Sequence, residues 1–171
     1  MLNNKIEAAL NAQIEKEDFS SQLYLAMASW ADTNGFAGTS EFLYRHADEE
    51  RMHMLKIVRF VNERGGKAII PSIEKPKQDY NSIKEIFESV LEHEQMITNC
   101  INEIVQICLD EKDFTTHNFM QWYVSEQIEE EALVCKVLDK LKLVGGDNGA
   151  LYMFDNDMEK MEADQNDPSM A

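Results

Sequence analysis

The stretch His46-Ala-Asp-Glu-Glu-Arg-Met-His-Met-Leu-Lys56, HADEERMHMLK, decides how this chain folds. Glu50 and His53 stand three residues apart, a separation that puts two side chains on one face of a helix. In a helical bundle the inward stripe advances by alternating steps of three and four residues. Here that stripe reads Leu43, His46, Glu50, His53, Ile57, Phe60. Glu50 and His53 are therefore expected to point into a core, with apolar neighbours along the stripe on either side.

Carried outward, the same test finds three more interrupted stripes. Near the N-terminus it gives Ile6, Leu10, Gln13, Glu17, Ser20, Tyr24, Met27, Ala31. Further on it gives Ile83, Phe87, Val90, Glu94, Ile97, Ile101, Ile104, Cys108, and then Met120, Tyr123, Gln127, Glu130, Val134, Val137, Leu141. The segments carrying these stripes run from about Asn4 to Asn34, Thr39 to Arg64, Ser82 to Asp110 and Thr116 to Val144. Gly35, Gly65-Gly66 and Gly145-Gly146 supply stops, and Ser82-Ile-Lys-Glu85 reads as a capping box. Each segment spans roughly 40 Å as a helix. The first and third breaks are short, so the helices they join run antiparallel. The middle break, GGKAIIPSIEKPKQDY, contains Pro71 and Pro76 and is long enough to cross from one end of a bundle to the other. This predicts an all-α four-helix bundle with one long crossover. A short fifth helix is expected over ALYMFDNDMEKM. One domain is expected over residues 1–162, with a flexible tail over 163–171.

Composition agrees with that class. Hydrophobic residues make up 44% of 171, which suits a folded domain and excludes a disordered chain. Only seven Gly and three Pro interrupt it, as an all-helical fold requires. A net charge of −16 repels nucleic acid and anionic membrane and attracts cations. Cys100, Cys108 and Cys135 show no Cys-x-x-Cys pairing, so thiolate zinc and a disulfide framework are not expected. No apolar run is long enough to span a bilayer and no signal core opens the chain. The cytoplasm is the expected location.

The four carboxylates Glu17, Glu50, Glu94 and Glu130 all fall near mid-helix, so packing brings them to one level. Buried together and unpaired they would repel one another and shift their pKa values toward neutrality. No Lys or Arg occupies the stripes to compensate. Two divalent cations would cancel four carboxylate charges, with His53 and Gln127 adding ligands but no charge. Such an oxygen-rich set with one imidazole suits iron or manganese and tolerates zinc. Carboxylic acids protonated and bonded in pairs are the competing arrangement.

At these residues the sequence resembles the ferritins, in their haem-free bacterial form. RHADEERMHM, HEQMITNCINE and NFMQWYVSEQIEEE carry the likeness, which runs from Leu10 to Tyr152. The resemblance implies a hollow 24-subunit homo-oligomeric shell that oxidises Fe(II) with dioxygen or hydrogen peroxide and stores the product as a ferric mineral. It implies a first iron position at Glu17, Glu50 and His53, with Glu50 bridging to a second at Glu94 and Glu130, and Gln127 nearby. It also implies a third position at Glu49, Glu126, Glu129 and Glu130, and a fifth helix near a four-fold axis. Tyr24, on the Glu17 stripe, is expected to bond a site carboxylate or to supply an electron during oxygen reduction, or else to serve as a core tyrosine with a satisfied hydroxyl. His46 is read as an outer partner orienting a carboxylate or as a core histidine. His93 and His117 are read as surface residues, and Trp122 as packing.

Departures from the symmetric scheme are informative. Symmetric paired-metal bundles repeat Glu-x-x-His on two helices, whereas here Glu50-x-x-His53 faces Gln127-x-x-Glu130. The second position should therefore be the weaker. Two other functions compete: a di-iron oxidase of organic substrates, which would need an apolar pocket and a longer chain, and a DNA-protecting miniferritin, which places its iron between subunits. Haem binding in the related bacterioferritins uses a Met directly after the bridging Glu. Arg51 stands there, with Met52 one step beyond on another face. The purified protein is accordingly expected to show no haem Soret absorbance, and a red, haem-loaded preparation would contradict this reading.

Overall fold

The computed structural model describes residues 2–161. The expected tail at 163–171 lies outside the described residues. Five helices follow in order: α1 (Asn4–Thr33), α2 (Ala37–Glu63), α3 (Ile83–Asp110), α4 (Phe114–Val144) and α5 (Asn148–Lys160). No strand occurs among the described residues. α1 packs along α2 and α3 along α4, and the crossover returns the chain to the end where α1 stopped. α2 and α3 therefore run parallel, as the long middle connection requires.

Local chemistry fixes the helix ends. Asn3 caps α1 by accepting from the Lys5 amide at 2.8 Å. Ser82 caps α3 by accepting from the Glu85 amide at 3.1 Å. The Glu85 carboxylate reaches back one residue beyond the usual box, to the Asn81 amide at 2.7 Å. Asp113 and Asp147 cap α4 and α5. Asp113 explains why α4 begins at Phe114, two residues before the expected Thr116.

α2 begins two residues before the expected Thr39, and its cap comes from elsewhere in the chain. Phe36 at its N-cap offers no side-chain acceptor. Instead Asp155 of α5, buried against this end, accepts from the Gly38 amide at 3.0 Å, the Thr39 amide at 2.8 Å and the Thr39 hydroxyl at 2.7 Å. A carboxylate at a helix N-terminus satisfies orphan donors and meets the positive end of the dipole. Gly38 is required for this approach, since a Cβ there would lie 1.8 Å from the Asp155 carbonyl oxygen.

The core is split. One apolar cluster joins Tyr24, Met27, Phe42, Phe87, Val137 and Phe154 at the α5 end. A second joins Ile6, Leu10, Ile57, Ile101, Cys108 and Met120 at the other. Between them lies a layer of buried polar side chains: Gln13, Glu17, Ser20, His46, Glu50, His53, His93, Glu94, Gln127 and Glu130. Arg64 closes the far end onto Asp113 at 3.1 Å.

Because α5 supplies the cap of α2, Asp155→Ala is expected to cost about 1–3 kcal/mol of stability. Gly38→Ala should lower the unfolding midpoint as well, by displacing α5. Urea unfolding with hydrogen exchange at the Thr39 amide checks both; unchanged protection at Thr39 would refute the cross-helix cap.

Candidate metal centre

Each helix of the bundle delivers one carboxylate to the polar layer: Glu17, Glu50, Glu94 and Glu130, all at most 6% exposed. The four interruptions stack because each lies midway along a helix of similar length. No Lys or Arg is buried among the described residues, so no fixed cation offsets these charges.

Three groups of potential ligand atoms form, each with its members within 4.8 Å of one another: Glu17, Glu50 and His53; His46, Glu49 and Glu130; Glu49, His53 and Glu126. Within the first, His53 Nδ1 lies 3.6 Å from Glu50 Oε2, and Glu17 Oε1 accepts from Gln13 Nε2 at 2.8 Å. Glu94 is held differently. Tyr24 donates its hydroxyl to Glu94 Oε1, and Gln127 Nε2 donates to Glu94 Oε2 at 2.9 Å. The structure thus pairs Tyr24 with a carboxylate of the layer. Glu129 is exposed and joins none of the three groups.

Burial raises the pKa of Glu50 well above the carboxylate range, and the charges of Glu94 and Glu17 raise it further. Glu130 is raised well above its ordinary value by burial, then by Glu94, Glu50 and Glu49. Glu94 is raised by burial, against the opposing hydrogen bonds from Tyr24 and Gln127. Tyr24 is pushed up by burial and by Glu94, so it stays a phenol. Burial lowers His46 and His93 to about 4, leaving both neutral.

Two features escaped the stripe reading. His93, expected at the surface, is buried, and its Nε2 meets Ser20 Oγ at 2.7 Å. Its ring stands edge-on to Tyr24, with centroids 6.2 Å apart. The available signal was Ser20, a hydroxyl in an apolar stripe that needed a partner. The other feature is Trp122, half-buried, whose ring stands edge-on to His53 at 5.1 Å, so its packing is against the site itself. His117 at the start of α4 is half-buried.

A four-helix bundle with one long crossover and a carboxylate from every helix in its core is the architecture of proteins that hold paired metal ions. Comparison with known proteins narrows this. Residues 7–144 match the family model described as ferritin-like domain. The chain is 46% identical over 158 residues to a probable bacterial non-heme ferritin-like protein of Haemophilus influenzae, covering 92% of this chain and 96% of that one. It is 43% identical to a bacterial non-heme ferritin of Campylobacter jejuni, covering 91% and 93%. Among solved structures, an open pore ferritin from Archaeoglobus fulgidus superposes with a TM-score of 0.93 at 41% identity, over 95% of this chain and all of that one. The chain belongs to the ferritin family, in its bacterial non-haem branch.

The raised carboxylates set a pH signature for the metal-free protein. A carboxylate whose folded pKa is raised binds more protons folded than unfolded, so stability falls as pH climbs above its ordinary 4.5. Neutral buried His46 and His93 work the other way, costing stability as pH falls below their ordinary 6.5. Comparing Glu50→Gln with the parent cancels the histidine contribution. The variant is expected to melt about 2–5 °C higher than the parent at pH 7 without metal, with the gap shrinking toward pH 5. A gap of zero or of opposite sign at pH 7 would show that Glu50 is not electrostatically strained.

Proposed function

We propose that this chain stores iron, oxidising Fe(II) to Fe(III) at the carboxylate layer inside each bundle and depositing the product as ferric mineral within a 24-subunit shell. The supporting observation is the layer itself: four buried carboxylates, one from each helix, with His53 beside them and no buried cationic side chain among the described residues. Ferrous iron is the substrate that relieves it. Ferritin-family membership supports iron storage in a shell.

In this reading Glu17, Glu50 and His53 take the first iron, Glu50 bridges, and Glu94 and Glu130 take the second. Oxidation by dioxygen balances as two Fe(II), one O2 and two protons giving two Fe(III) and one H2O2; peroxide as oxidant is reduced to water by the same two electrons. Tyr24 orients Glu94 through its hydroxyl and lies near enough to supply an electron. Gln127 donates to Glu94 rather than adding charge, so the second position starts with both Glu94 oxygens engaged. Assembly is supported by apolar side chains left exposed: Leu25 on α1, Met52 on α2, Leu143 at the end of α4, and Tyr152 and Met153 on α5. No helix among the described residues is long and apolar enough to cross a membrane.

Two measurements test this. Sedimentation should find a particle of about 470 kDa, twenty-four chains of 19.7 kDa; a stable monomer or dimer would refute the shell. Anaerobic protein given two Fe(II) per chain and then dioxygen should oxidise them rapidly. His53→Ala should slow this at least about 10-fold, the loss typical of damaged metal coordination. Unequal affinities are expected for the two ions, the second weaker, and Gln127→Glu should narrow the difference. Equal affinities in the parent, or oxidation unaffected by His53→Ala, would overturn the assignment of the two positions.

A further inference from the structure

His93, which the stripe reading left at the surface, ties α3 to α1 beside the carboxylate layer. Ser20 is fully buried, and His93 Nε2 lies 2.7 Å from its Oγ. Ser20 Oγ donates its one proton to the Lys16 carbonyl oxygen a turn earlier, at 3.0 Å. It therefore accepts from His93, whose ring proton stands on Nε2. The order of residues along the two helices gives this bond its consequence. Ser20 precedes Tyr24 by about one turn on α1, and His93 directly precedes Glu94 on α3. Two side-chain bonds thus run between the same two helices, Ser20 with His93 and Tyr24 with Glu94. The Tyr24 ring also meets the His93 ring nearly at right angles, with centroids 6.2 Å apart.

A phenol hydroxyl sits at the far end of a rigid ring, so a small swing of the ring or slip of its helix moves it a long way. Hydrogen-bond length tolerates only about 0.5 Å of such movement. The Ser20–His93 bond sets the register of α1 against α3 one turn away, and the imidazole it anchors stands in the path of a swinging Tyr24. What is fixed in this way is the choice between the two Glu94 oxygens. Tyr24 holds Oε1 with its single proton. Gln127 Nε2 meets Oε2 at 2.9 Å, but also faces the Glu94 carbonyl oxygen at 3.3 Å and Thr98 Oγ1 at 3.4 Å. Its hold on Oε2 is divided, so Oε2 is the oxygen more easily given up. We propose that Ser20 and His93 are positioning residues for the second metal position: their bond keeps Tyr24 on Glu94 Oε1 and so presents Glu94 Oε2 to the ion. The inference rests on the reading of Glu94 as a metal ligand under the proposed function. Ser20 and His93 act through Tyr24, as outer partners that aim a ligand without being one.

The test uses Zn(II), which undergoes no redox change, on the assembled protein. Calorimetric titration gives the affinities, and anomalous peaks from crystals soaked at graded zinc concentrations assign them to positions. Ser20→Ala should weaken zinc between Glu94 and Glu130 at least about 10-fold and leave the Glu17–Glu50–His53 position at the parent's affinity. His93→Phe, which keeps a buried ring and removes the donor, should do the same, and Ser20→Thr, which keeps the hydroxyl, should behave as the parent. In a Tyr24→Phe background Ser20→Ala should have no further effect, because the residue it acts through is gone. Weakening of both positions alike, of neither, or to the same extent without the Tyr24 hydroxyl would overturn the inference. Metal-free crystals of Ser20→Ala decide it independently of any ion: the Tyr24 hydroxyl should leave Glu94 Oε1, and an unchanged Tyr24–Glu94 bond would overturn it too. A parent that takes no zinc at Glu94, with the Tyr24 hydroxyl still released by Ser20→Ala, would sink the proposed function and leave the tie between Ser20, His93 and Tyr24 standing.

Discussion

Repulsion among four glutamates, confined between two halves of one apolar core, is the constraint on which the rest of this bundle depends. Each half packs aliphatic and aromatic side chains from all four long helices, and each by itself reads as an ordinary bundle interior. The halves enforce the layer between them, because helices continuous through both cannot splay at the middle without unpacking the ends. The acids are thus held at a proximity that their own solvation would never choose. In water the same four groups would separate; here the favourable way to relax is to take up positive charge.

Fold and site share this origin, and the partial remedies inside the layer show it. Gln13 donates to Glu17, and Tyr24 and Gln127 both donate to Glu94. These are neutral donors, which lower the cost of a buried carboxylate without cancelling its charge. A lysine or arginine at any of those places would satisfy the layer permanently and leave nothing for a metal to do. At the bundle's ends the logic reverses. Charge there is paired within the chain, by Arg64 on Asp113 and by Asp155 on the α2 N-terminus. The short helix α5 is therefore tied to the bundle by one buried carboxylate together with its buried Phe154 and Met158, while its Tyr152 and Met153 remain outside.

Much of this was legible in the sequence because one rule, the three-and-four-residue stripe, governs both core and site. It placed Glu17, Glu50, His53, Glu94, Gln127 and Glu130 inward, and all six are buried. Helix ends were legible to within about two residues where glycine or a capping side chain lay nearby. The cap of α2 was not, since it lies 116 residues away from Thr39 and no local pattern can announce it. His93 was misplaced for a related reason. A stripe has one line of positions, whereas a helix packed between two neighbours buries a wider face, and His93 uses that extra width to reach Ser20. His46 was placed on the inward stripe and is buried, but the orientation of its ring follows from the Phe42 carbonyl at 3.0 Å, a backbone atom that sequence does not orient.

The two ends of the carboxylate layer are unequal in a way that suits the proposed store. A centre whose ligands were all charged and all preoriented would hold iron as a fixed cofactor. The Glu17–Glu50–His53 side approaches that condition, with its ligand atoms already gathered. On the other side, under the proposed function, an ion would have to displace Tyr24 or Gln127 from Glu94, and Gln127 would bring no charge in return. Part of the binding free energy would be spent on that rearrangement, which would make an ion there easier to release. Glu94 is thus held by donors on both oxygens, whereas Glu17 accepts on one and Glu50 lies beside His53, and that difference gives the layer a direction.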